Sequence, residues 1–122
     1  MIQAVHALLY APDAERAREF FRDALGWRSV DAGGGWLIFA TPPAELAVHP
    51  AADRERAHHE LSFMCDDIEA TIAELKAKGA EFPTPVSDHR WGRLTTMRIP
   101  GGVEIALYQP LHASPLDLTS KP

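Results

Sequence analysis

His6, His49, Glu60, Glu104 and Tyr108 are the side chains of this 122-residue chain best suited to chemistry, and each lies in or beside a short apolar run. Imidazole and carboxylate exchange protons near neutral pH, and as nitrogen and oxygen donors they are also ligands for a divalent metal. Strand alternation sorts them into sets that share a face: His6 with Leu8 and Tyr10, Glu45 with Ala47 and His49, Glu60 with Ser62 and Met64, and Glu104 with Ala106 and Tyr108. A carboxylate such as Glu60 on an apolar cavity wall suits a general base. Other candidates are weaker. His58 and His59 are neighbours and point to opposite faces of a strand, so they do not share one ion. Cys65 closes an apolar run with no base beside it and reads as a packed thiol. Gly33-Gly34-Gly35 lacks the Lys-Ser/Thr and the following helix of a phosphate loop, so it reads as a hairpin turn. Trp91, in the turn-like stretch Asp88-His89-Arg90-Trp91-Gly92, reads either as a lid or cavity-rim residue or as a packed loop anchor.

Regular elements must hold these side chains in place. Residues 2–10 are apolar and β-rich, the pattern of a buried strand. Asp13 then caps a helix whose apolar residues Ala17, Phe20, Phe21, Ala24 and Leu25 recur at helical spacing, and Gly26 ends it. Residues 27–30, 36–40 and 45–49 read as three strands. A polar stretch, 50–57, links to a second round. There residues 60–65 form a strand, Asp67 opens a helix with Ile68, Ile72 and Leu75 on one face, and Gly79 closes it. Residues 81–82, 94–99 and 103–108 supply further strands. The two rounds superpose: His6 stands seven residues before Asp13 as Glu60 stands seven before Asp67, and Glu45-Leu46-Ala47-Val48-His49 matches Glu104-Ile105-Ala106-Leu107-Tyr108. The expected fold is α+β, two βαβββ modules (2–50 and 58–110) forming a single domain, with a loose C-terminal arm at 111–122. A helix covers one face of each sheet, so the other must meet its twin. Curved mixed sheets then enclose a concave cavity, to which Tyr10, His49, Met64, Trp91, Glu104 and Tyr108 contribute as ligand contacts.

Composition narrows the function. Twelve basic residues against seventeen acidic ones give a net charge of −5, which opposes a nucleic-acid or anionic-membrane surface. One cysteine excludes an internal disulfide and a cysteine-rich zinc site. No leader-like start and no apolar run of about 20 residues is present, so a cytoplasmic protein that does not enter a membrane is expected.

The doubled βαβββ pattern, with Val5-His6 before the first helix, Phe21 through Gly26-Trp27, Asp66-Asp67-Ile68 through Leu75 to Gly79, and Pro100-Gly101-Gly102 before the last strand, resembles the vicinal oxygen chelate superfamily over residues 3–110. Glyoxalase I, bleomycin-resistance proteins, fosfomycin-resistance enzymes and ring-cleaving dioxygenases share that fold. The resemblance implies a divalent metal held by one ligand from the first and one from the last strand of each module. Carried over, the first-strand positions fall on His6, a match, and on Glu60, where His is usual. The last-strand positions fall on Ala47 and Ala106, which have no donor. The resemblance therefore implies a member that binds a small, partly apolar molecule without the usual four-ligand site. Such a member either sequesters its ligand or acts on it through His6 and Glu60 as an acid–base pair. The alternative is a metal-dependent lyase, isomerase or dioxygenase with a displaced ligand set drawn from His6, His49, Glu60 and Glu104. The expected cofactor is thus none or one divalent metal, and the expected partners are a small-molecule ligand and, as in many of the family, a second copy in a homodimer.

Overall fold

The computed structural model describes residues 1, 3–51 and 58–116, so most of the expected linker and the end of the arm lie outside the described residues. Two helical segments pack on one face of a four-stranded sheet, and a hairpin stands beside them. Asp13 starts α1 (Ala14–Glu19) by accepting a hydrogen bond from the Arg16 amide at 3.1 Å, as an N-cap acid should. The coil then widens into a π-helical turn, Phe20–Ala24. Phe20 and Phe21 are sequence neighbours and both are buried. The wider turn carries this adjacent pair to the core where α1 meets the sheet. The hairpin β1 (Ser29–Asp31) and β2 (Leu37–Phe39) follows, antiparallel around the triple-glycine turn. The Asp31 carboxylate accepts from the amides of Gly33 and Gly35 within that turn.

The second round is complete. Strand β3 (Ser62–Met64) leads to α2 (Ile68–Ala77), then β4 (Ser87–His89), β5 (Gly92–Ile99) and β6 (Val103–Pro110). The sheet order is β3-β6-β5-β4, with β3 parallel to β6 and the other neighbours antiparallel. Asp67 caps α2 through the Ala70 amide. The Gln109 side-chain oxygen on β6 takes a second open amide, that of Ile68, at 2.8 Å. That bond fixes the helix start over the sheet. Met97 and Ile99 of β5, Val103, Ile105 and Leu107 of β6, and Ile68 and Leu75 of α2 form the core. Each such apolar side chain contributes about 1.5–3 kcal/mol by leaving water.

Ala17, Phe20 and Phe21 join the same core, and two further features dock α1 and the hairpin onto the second half. Phe21 stacks on Trp27 at 5.3 Å, and both rings meet Phe63 of β3 edge-on. The turn between β5 and β6 receives the start of α1, and the Asp13 amide donates to the Gly101 carbonyl at 3.1 Å. Gly101 has φ +100, and a Cβ there would stand 2.6 Å from the Asp13 carbonyl oxygen and 2.9 Å from the Ala17 amide nitrogen.

Three expectations differ from the structure. Residues 3–10 and 45–49 carry no strand ladder, although they were expected to pair. Val5, Tyr10, Leu46 and Val48 are exposed at 88–90%. Their β-rich pattern has no partner strand beside it among the described residues. The strand expected at 81–82 shrinks to a single bridge, Glu81 to Arg98. The stretch expected as a turn before Trp91 instead begins with β4, whose side chains are all exposed and so lack the apolar pattern that marks a strand. No helix among the described residues is long and apolar enough to cross a membrane.

Gly101→Ala is expected to lower stability by about 2–4 kcal/mol, combining backbone strain with a clash against main chain. Gly34→Ala has φ +62 but nothing within 4 Å of its new Cβ, and should cost only about 1–2 kcal/mol. Urea denaturation of the two variants checks this ordering.

Candidate functional site

Because directly paired residues put their side chains on the same face, the ladder sorts the sheet's open face into rows. Arg98 lies opposite Glu104. Ser62, Ala106 and Thr96 form the next row, and Met64, Tyr108 and Leu94 the third. The core residues Met97, Ile105 and Leu107 alternate with these and point the other way. The expected grouping of Ser62 with Met64 and of Glu104 with Ala106 and Tyr108 is the arrangement the ladder produces.

A hollow of about 350 Å³ lies over the first two rows, lined among others by Glu60, Ser62, Thr96, Glu104 and Ala106. Arg98 donates to Oε2 of Glu104 from Nε at 3.1 Å and from Nη2 at 2.7 Å. Its Nη1 also lies 3.9 Å from Glu81. Both partners of the Arg98–Glu104 pair are about half exposed, so the pair contributes under about 1 kcal/mol to stability. Its larger effect is local: it neutralises Glu104. Glu60 has no hydrogen-bond or ion-pair partner among the described residues, and it lines the hollow.

Rings occupy the other end of the face. Tyr108 meets Trp91 edge-on at 5.6 Å and lies 5.7 Å from His112. His89 stacks flat on Trp91, with centroids 4.6 Å apart and planes 5° apart. The Ser87 hydroxyl lies 3.0 Å from His89 Nε2 and steadies the imidazole. Gly92 makes room for this row: a Cβ there would stand 2.5 Å from Cε2 of Tyr108 and 2.7 Å from the Gln109 carbonyl oxygen. The Tyr108 phenol is pushed above its ordinary value by burial and, secondarily, by the Glu45 charge. Glu45 accepts from the Ser114 hydroxyl at 2.5 Å, which ties the segment before His49 to the start of the arm.

Of the expected site residues, Glu60 and Glu104 meet at the hollow, and Met64, Tyr108 and Trp91 continue the same face. His6, Tyr10 and His49 are exposed on segments without a ladder, and none of the three lines the hollow. Sequence reasoning missed Thr96 and Arg98, although alternation along β5 from Leu94 reaches both. It also missed His89 and His112 as members of the ring row, for which no periodic signal exists.

The donors present do not fit the divalent metal that the fold family implies. Ala106 on the floor has no donor atom to offer, and Glu104 is engaged by Arg98. Among the described residues no three of His, Cys, Asp and Glu come close enough to hold an ion.

Comparison with known proteins agrees with this architecture. The family model described as Glyoxalase/Bleomycin resistance protein/Dioxygenase superfamily matches residues 3–107. A member of that superfamily from Sphaerobacter thermophilus superposes with a TM-score of 0.61 at 24% identity, covering 88% of this chain and 98% of the other. TnmS3, an antibiotic binding protein from Streptomyces sp. CB03234, superposes with a TM-score of 0.58 at 26% identity, covering 90% and 98%. A manganese-dependent 2,3-dihydroxybiphenyl 1,2-dioxygenase from Geobacillus genomosp. 3 is 29% identical over 111 residues; the match takes in 84% of this chain but only 35% of the dioxygenase.

Alkaline titration tests the packing around the site. Burial raises the Cys65 thiol as it raises the Tyr108 phenol. In both cases the folded state holds its proton more tightly than the unfolded chain. Stability is therefore retained below the unfolded values and falls as pH rises from about 9 for the thiol and about 10 for the phenol. Cys65→Ala and Tyr108→Phe should each flatten part of that decline in denaturation curves taken from pH 8 to 11.

Proposed function

We propose a function from the premise that the chain belongs to the Glyoxalase/Bleomycin resistance protein/Dioxygenase superfamily: it binds a small, partly apolar organic molecule in the hollow on the open face of its sheet, without a metal. The observation that carries this reading is Ala106 on the floor of that hollow. At the position where the family's metal chemistry needs a carboxylate, this chain has a methyl group flanked by Ser62 and Thr96. Such a floor accepts apolar atoms and offers two hydroxyls for orientation. The likeness to an antibiotic binding protein supports sequestration. Glu60 is the group that would accept a hydrogen bond or take a proton from the bound molecule, since Glu104 already faces a guanidinium. His6 joins it as an acid–base partner only where residues 3–10 are laid against a sheet.

That condition leads to the second part of the reading, a homodimer. Val5, Leu8, Tyr10, Leu46 and Val48 are each at least 68% exposed. Apolar side chains of strand-forming sequence left in water favour association. A second copy covering them would also bring His6 and His49 into a sheet. The metal-dependent alternative draws its support from the manganese-dependent dioxygenase. It would need further donors to converge on Glu60 and Glu104, and among the described residues no three of His, Cys, Asp and Glu come together to hold an ion.

Ala106→Leu fills the floor without touching the core. It should reduce the affinity of any ligand found in a thermal-shift screen at least tenfold while leaving the melting temperature of the unliganded protein within a few degrees. Ligand binding should survive chelation by EDTA. Its loss on chelation, with recovery on adding manganese, would return the metal-dependent reading.

Sedimentation equilibrium should give a dimer at micromolar concentration. Replacing Leu46 and Val48 together by Glu should shift it to monomer, because the new carboxylates would have to be desolvated at the interface. A wild-type chain that sediments as a monomer at every concentration would remove the dimer from the reading.

A further inference from the structure

Resting on the dimer part of the reading above, we propose that the arm after β6 is a latch on self-association: Ser114 holds Glu45 within the single chain, keeps residues 45–49 out of a sheet, and must let go before a second copy can pair with them. Burial points to the contact. Every residue from 41 to 50 is exposed except Glu45, which is half-buried. Residues 111–113 of the arm are exposed as well, and Ser114 is the first after them to be half-buried. These two residues meet: the Ser114 hydroxyl donates to Oε2 of Glu45 at 2.5 Å across 69 positions of sequence. Among the described residues no other hydrogen bond joins 42–49 to a distant part of the chain. The hydroxyl is also set in direction. It accepts the Leu116 amide at 3.1 Å, which leaves its single proton for the carboxylate.

The arm is anchored at its root. The Leu111 amide donates to the Trp91 carbonyl at 2.9 Å, and the His112 ring lies 5.7 Å from that of Tyr108. From Leu111 to Ser114 is three residues, at most about 10 Å of reach, so Ser114 cannot follow a Glu45 drawn onto another chain's sheet. Such a move is what pairing demands. By the internal repeat 45–49 corresponds to 104–108 of β6, a strand bonded along both edges, and alternation would turn Glu45 to the same side as Ala47 and His49. The latch holds the segment by one polar side chain and leaves its apolar ones uncovered: Leu46 and Val48 remain 90% and 88% exposed. The closed arrangement therefore gains little beyond one charge-assisted hydrogen bond, and a second copy that covers Leu46 and Val48 competes with it directly.

The test is the dimer dissociation constant of the full chain, read by sedimentation equilibrium. Ser114→Ala removes the donor and should tighten the dimer by about three- to tenfold, because both copies must open and the gain enters twice. Ser114→Asp sets a like charge against Glu45 and should tighten it at least as much. Ser114→Lys offers Glu45 an ion pair and should weaken the dimer at least threefold. Bulk charge predicts the reverse order: on a chain of net charge −5, an added anion repels a second copy and an added cation eases its approach. Adding Leu46→Glu and Val48→Glu to Ser114→Ala should restore the monomer, which ties the gain to residues 45–49. Dimers unchanged in Ser114→Ala and Ser114→Asp, or charge variants that follow bulk charge, would overturn the latch and leave the dimer reading standing. A wild type and a Ser114→Ala chain that both sediment as monomers at every concentration would remove the dimer and the latch together.

Discussion

Strand β6 is the member on which both the core and the site depend. It is hydrogen-bonded on both edges, to β3 on one side and β5 on the other. Its side chains alternate without a break. Val103, Ile105 and Leu107 enter the core, while Glu104, Ala106 and Tyr108 face the hollow and the rings. The period of two couples these sets rigidly: a slip of one residue against β5 would expose three core side chains and bury Glu104. The cost of burying that charge and the lost apolar burial act in the same direction. Core packing therefore fixes the positions of the site residues before any of them makes a contact of its own.

The first half of the chain is attached by fewer and more local means. Its aromatic cluster reaches the second half through Phe63, and its helix start is received by the Gly101 turn. These contacts place α1 and the hairpin firmly, but they do nothing for residues 3–10 and 45–49. In the second half the strand before the helix and the last strand pair directly, Ser62 opposite Ala106. Their counterparts by the internal repeat, Leu8 and Ala47, stand outside any ladder. The asymmetry has a physical origin. The second half has β5 to give β6 a long antiparallel partner of eight residues. The first half has only three-residue strands between its helix and its last segment. A short hairpin is marginal as a template, and the segments that would extend it remain exposed.

How much was legible in the sequence follows from the same difference. Both helix starts were readable because Asp13 and Asp67 cap them through short, local hydrogen bonds. The open face of β6 was readable because alternation is strict there. Glu60 and Glu104 both line the hollow, and each lies at a fixed count from a glycine or an aspartate that the fold also uses. Position 6 was equally distinctive in type and spacing, yet spacing along the chain says nothing about whether a partner strand exists to hold it. The ring row was the least legible feature. Trp91 stood out as a single large residue in a turn. Its neighbours His89 and His112 come from a strand with no apolar face and from the chain after β6, so they converge only in three dimensions.

The chemistry of the floor also explains why a metal site and this face are hard to reconcile. A divalent ion needs several deprotonated donors converging on one point, and the repulsion among them is offset only when the ion is bound. Here the corresponding space is occupied differently. Arg98, on the neighbouring strand, supplies a positive charge that faces Glu104. With that pairing in place, a carboxylate at position 106 would meet an already satisfied neighbour. The methyl group of Ala106 avoids that conflict and leaves volume instead. A fixed cation on the wall and a methyl on the floor together leave open volume where an ion would need converging donors. Glu60 is then the group left to set its polarity.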